Sequence, residues 1–169
     1  MVRALSALRR LIDGVNTVVG WTLAVLLAVM TVLIAWQVFA RYVMGNPLTF
    51  SEEIARFAMV WMTMLGAGYA FRAHQLISVD IAAELGGPTV ARMLGVIVPL
   101  VALWLAAVMA REGIEVAERV SRQVAPSTRV SMVWLYAALP AGAALVGLNV
   151  AALLIDAILG DRPHARAEG

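Results

Sequence analysis

Residues 39–61 read FARYVMGNPLTFSEEIARFAMVW, and two arginines and two adjacent glutamates stand there between long apolar segments. Arg41 and Tyr42 close the first segment at an interface. Gly45 and Pro47 then break the helix, one by backbone freedom and the other by a missing donor. Thr49 and Glu52 match the capping-box spacing T-x-x-E, with Ser51 as a second cap, so a new helix starts here. The stretch reads as a hairpin between two membrane spans.

The rest of the chain supports that frame. Of its 169 residues, 62% are hydrophobic and only 14% charged, and the mean hydropathy is +0.86. Soluble domains carry roughly 45–50% apolar and ~25% charged residues, so this is an integral membrane protein. Three uncharged runs are long enough to span: Gly14 to Ala40, Met93 to Ala110 and Val130 to Ile155. The fourth, Phe57 to Phe71, has 15 residues. At ~1.5 Å each it covers about 22 Å of a ~30 Å hydrocarbon core, so its helix must begin near Ser51 and end near Arg72. The expected fold is an all-α membrane protein, a single domain over 1–169. Its four spans lie at approximately 14–42, 52–72, 91–111 and 129–157, joined by short interfacial helices.

All 13 basic residues are arginines, scattered singly at the ends of apolar runs, and the formal net charge is +2. That distribution anchors a protein in a lipid bilayer, whereas nucleic acid requires a clustered surface. The absence of cysteine excludes disulfides, thiolate catalysis and Cys-ligated metal. His74 and His164 lie far apart in the sequence, and no pattern points to a cofactor or a metal. Residues 3–13 place Leu5, Leu8, Leu11 and Ile12 on one face, which fits an interfacial helix leading into the first span. The apolar run after it is nearly twice the h-region of a secretory signal and lacks a small-x-small cleavage site, so it reads as a span.

Glu52 and Glu53, in a first helical turn, face the positive end of the macrodipole. Arg56 is within reach of either, and Arg41 ends the preceding helix with the opposite sign. Helix-terminal anchoring explains these four charges, and so does contact with a partner; both remain open. Gly66 and Gly68 allow close approach of another helix, as does the stripe Ala143, Gly147 and Ala151 at i, i+4 and i+8. Arg72 closes the second span. Residues 77–85 fit a short helix or an extended segment, and Pro99 predicts a kink in the third span. The pairs Arg111–Glu115, Glu115–Arg119 and Glu118–Arg122 predict that the third helix continues past the membrane to about Gln123.

The stretch from Ala40 to Asp80 resembles the small membrane subunit of tripartite ATP-independent periplasmic (TRAP) transporters. The resemblance rests on Arg41-Tyr42-Val43, Phe50 before Ser51-Glu52-Glu53, Ala55-Arg56, Trp61, Gly66-Ala67, and then Arg72 and His74 before Val79-Asp80. Trp134, Tyr136, Pro140 and Gly142 supply a second block. Phe50 stands where the family often has Trp, and Gln75-Leu76 follow His74 where an apolar residue is expected. The resemblance implies a bacterial inner-membrane protein with no enzymatic activity, paired with a large permease subunit and a periplasmic substrate-binding protein. In that family the large subunit holds the substrate and sodium sites and imports organic acids, and the small one enlarges the static scaffold.

Both termini are expected in the cytoplasm. The arginine count favours that side by only 7 to 6, so the expectation rests on the resemblance and the even number of spans. Two other classes compete. A membrane enzyme would need a convergent set, and His74, Glu52, Glu53 and Asp80 are the only conceivable one. A stand-alone homo-oligomeric channel or small transporter would use the small-residue stripe to join copies of itself.

Overall fold

The computed structural model describes residues 2–45, 49–72 and 77–159. The side chains described are those of residues 6–45, 49–71, 87, 89–90 and 93–153. Five helices follow one another: α1 (Val2–Tyr42), α2 (Thr49–Arg72), α3 (Ile77–Arg119), the single turn α4 (Val133–Tyr136) and α5 (Ala138–Leu159). Four of them are long and apolar enough to cross a membrane, over Ser6–Tyr42, Thr49–Phe71, Met93–Arg119 and Val133–Leu153. Helix is the required form for such runs, since in hydrocarbon every backbone donor and acceptor must be satisfied within its own segment. The hydroxyls follow the same rule: Thr22, Thr31 and Thr63 donate to the carbonyls of Val18, Leu27 and Met59 at 2.8–2.9 Å.

Residues 3–13 are not a separate helix but the first turns of α1. At 41 residues this helix is about 60 Å long, roughly twice the hydrocarbon thickness. Residues 77–85 are helical and belong to α3. The break in α3 falls at Gly87 (φ 76°, ψ −177°), ahead of Pro99, where the kink was predicted. That conformation is open only to glycine, and the following Pro88 disfavours helical backbone at the same residue. Toward its C-terminal end the helix carries two of the expected i,i+4 ion pairs. Glu115 lies 3.5 Å from Arg111 and 3.0 Å from Arg119. The helix stops at Arg119, however, so Arg122 lies in the turn, and the expected Glu118–Arg122 pair is not among the ion pairs of the described residues.

Packing runs as an open row. α1 lies against α2, α2 against α5 and α5 against α3, and α1 also touches α5 lightly; among the described residues, α2 and α3 make no backbone approach to each other, nor do α1 and α3. α5 is therefore the centre, with Ala138, Ala143, Leu145, Val150 and Ala152 buried. α1 is the open edge. Between Thr17 and Phe39 none of its residues is buried, and Trp21, Val25, Val32 and Trp36 are exposed.

The α2–α5 contact is the tightest. A Cβ at Gly142 would lie 2.7 Å from the Met64 carbonyl oxygen, and one at Gly68 would lie 2.8 Å from Leu145 Cγ. Gly113 allows the same closeness of α3 to Leu139 and Pro140.

Candidate partner interface and the polar contacts behind it

The charges of the opening stretch divide between two neighbours. Arg41, in the last turn of α1, places Nη2 2.9 Å from Oε1 of Glu52, in the first turn of α2. Gln37, one turn earlier on α1, donates through Nε2 to the same oxygen. Glu53 turns the other way. Its carboxylate accepts the backbone N–H groups of Ser127 and Thr128 at 2.9 and 2.8 Å and the Thr128 hydroxyl at 2.9 Å. Successive helical residues project about 100° apart, so two adjacent glutamates cannot serve one cluster when α1 lies on one side and the α3–α4 loop on the other. Arg56 is exposed, and among the described residues it forms no hydrogen bond or ion pair. The predicted four-charge group is thus an Arg41–Glu52 pair, a Glu53 loop anchor and an outward arginine.

The loop that Glu53 holds is itself ordered by backbone contacts. Met132 N–H donates to Gln123 at 3.0 Å and Ala125 N–H to Val130 at 2.8 Å, with Arg129 in the left-handed region (φ 57°). Trp61 Nε1 donates to the Trp134 carbonyl at 2.9 Å, tying α4 to α2 about two turns further in. The end of the row that carries the α1–α2 turn is therefore cross-linked by polar contacts on exposed or half-buried groups.

A second polar site lies toward the other end and is fully buried. Asn16 on α1 and Asn149 on α5 exchange side-chain hydrogen bonds at 2.6 and 2.9 Å. Asn16 also donates to the Ile12 carbonyl at 2.9 Å, and Asn149 to the Gly68 carbonyl of α2 at 2.8 Å. Asn16 is 4% exposed and Asn149 not at all, so this pair joins three helices at a point where no water substitutes for a lost bond. Asn149 falls in the expected last span and Asn16 and Gln37 in the first, with no role assigned to any of them from the sequence. An asparagine inside an apolar run was the available signal.

The small residues also divide. Gly68 and Ala143 are used internally, between α2 and α5. Gly66 and Gly147 have open space where a Cβ would stand, and Ala151 is exposed. Arg72 ends α2, with its side chain outside the described set, and His74 and His164 lie outside the described residues. Among the described residues, no three His, Asp or Glu side chains are grouped to hold a metal ion.

The architecture is that of a multi-pass helical membrane protein whose charges sit at span ends. Residues 30–160 match the family described as tripartite ATP-independent periplasmic transporters, DctQ component, and the chain belongs to that family. It is similar to a TRAP transporter small permease protein of Haemophilus influenzae, 36% identical over 33% of this chain and 35% of that protein. It also resembles the sialic acid TRAP transporter small permease protein SiaQ of Vibrio cholerae, 30% identical over 44% of this chain and 42% of that one. The sialic acid TRAP transporter permease protein SiaT of Haemophilus influenzae is 28% identical over 71% of this chain, a stretch that makes up only 19% of SiaT. The chain thus spans less than half the length of each of these relatives.

The Arg41–Glu52 geometry yields a first expected result. Both side chains are about half exposed, so the pair is worth about 0–1 kcal/mol, and reversing Arg41→Glu adds like-charge repulsion of similar size. Arg41→Glu should lower the thermal midpoint in detergent, and adding Glu52→Arg should restore at least part of the loss. Arg56→Glu should leave the isolated chain nearly unchanged. An equal loss from Arg56→Glu, or no recovery in the double variant, would contradict the geometry.

Proposed function

We propose that this chain is the static small membrane subunit of a TRAP transporter, a scaffold against which a large permease subunit works. The observation that carries the reading is the open row. An open helix row does not surround a polar substrate, and it leaves apolar surface on α1 and α3 for a larger neighbour.

The match to SiaT supports the choice of neighbour. In that relative the segment similar to this chain is a minor part of a much longer protein named as a permease. In this reading the neighbour is a permease of the kind that relative's name describes. Arg56, Gly66, Gly147 and Ala151, which face outward or into open space, are the residues offered to it, and the Arg41–Glu52 pair lies at the rim of the same bundle end as Arg56.

In this reading the complex sits in the bacterial inner membrane with both termini of this chain in the cytoplasm. A periplasmic binding protein delivers an organic acid, and an ion gradient, with sodium as the coupling ion, drives uptake. Substrate choice resides in the other subunits, and this one carries out no chemistry.

The test is co-purification. The tagged chain, expressed with the reading frames adjacent to its own, should bring down a larger hydrophobic permease in fixed stoichiometry. Recovery only as a homo-oligomer would overturn the scaffold reading in favour of a self-assembling channel.

A further inference from the structure

Because α2 and α3 both pack on α5 without approaching each other, a groove is left between them. Its floor is Gly142 and Ala143, with Thr63 and Ala67 on the α2 wall and Ala102 and Ala106 on the α3 wall. We propose that this groove binds one acyl chain of a membrane phospholipid as a fixed, structural ligand.

Three observations select that occupant. The lining is apolar throughout: its one side-chain hydroxyl, Thr63, is already given to the Met59 carbonyl at 2.8 Å. A water needs two to four polar partners and a carboxylate more, so neither is held there.

The size is equally restrictive. The cavity has a volume of about 160 Å³, close to that of an apolar cavity of ~150 Å³ that stays dry and takes up benzene. A neighbouring helix, ~10 Å across, cannot enter it. A single unbranched hydrocarbon chain can.

The third observation is depth. Thr63 and Ala67, Ala102 and Ala106, and Gly142 and Ala143 all lie well inside their respective spans, where the surrounding medium is hydrocarbon. The small side chains of the walls keep the groove open, and a chain lying in it would make van der Waals contacts along both walls. This inference rests on membrane insertion alone and stands apart from the choice of transporter partner.

The experiment uses the full chain in vesicles of phosphatidylethanolamine and phosphatidylglycerol carrying a photoactivatable diazirine in mid-chain. After irradiation and proteolysis, labelling of 63–71 and 102–109 should exceed, severalfold, that of the lipid-exposed α1 face at 21–36. Ala106→Phe should reduce groove labelling to the α1 level and leave α1 itself unchanged. Ala102→Leu provides a smaller filling change if Ala106→Phe folds poorly. Labelling of the groove no higher than that of α1, or groove labelling indifferent to both variants, would overturn the proposal. So would loss of the groove signal when a larger permease is bound, because the groove would then belong to the partner.

Discussion

Asn149→Leu is expected to lower the stability of the isolated chain by about 1–3 kcal/mol, although leucine has nearly the shape of asparagine. The loss comes from what is left behind. Without Asn149 the Asn16 side-chain oxygen loses the donor it has at 2.9 Å, in a site 4% exposed, while its amide keeps only the Ile12 carbonyl. Asn16→Leu orphans the Asn149 side-chain oxygen in the same way. With both replaced, no side-chain amide is left unmatched and only the side-chain bonds to the Ile12 and Gly68 carbonyls are lost, so the double variant should be less destabilised than the two single losses summed. Thermal unfolding in detergent gives all four corners of the cycle. Strictly additive losses would mean that the two amides do not act as a pair, and a neutral Asn149→Leu would mean that the site is wet.

That pair also marks where sequence reasoning stopped. Uncharged runs announced the four spans, and GNP after Arg41-Tyr42 announced the hairpin, because both signals are local and strong. The start of α2 at Thr49 and the ion-paired end of α3 are equally local.

The order of the row is not. Each span is apolar almost all round, so no periodic stripe says which face turns inward, and the sequence of neighbours α1, α2, α5, α3 is invisible until the helices are packed. For the same reason Glu52 and Glu53 read as one acidic pair, when α1 claims the first and the loop at Ser127 and Thr128 claims the second. Gly66 and Gly68 read as equivalent, yet only Gly68 lies against Leu145. Gly87 was overlooked beside Pro99 because a proline is conspicuous in a span and a Gly-Gly-Pro turn at its edge is not.

Liposomes containing this chain alone are expected to take up no organic acid, even with a sodium gradient and a cognate binding protein present. The centres of the three long spans hold no ionisable side chain, and the threonine hydroxyls at 22, 31 and 63 are already bonded to their own helices. The buried Asn16–Asn149 pair is used up, since both its side-chain oxygens accept a bond and both amides donate twice. Moving a carboxylate past such a surface would cost several kcal/mol with nothing to replace its hydration, and each ~1.4 kcal/mol of barrier slows passage tenfold. A large permease, supplying the mid-membrane site, should restore uptake when co-reconstituted, and the permease without this chain should show little or none. The three preparations separate the claims. Uptake by this chain alone would refute the scaffold role, and full uptake by the permease alone would show that the scaffold is dispensable.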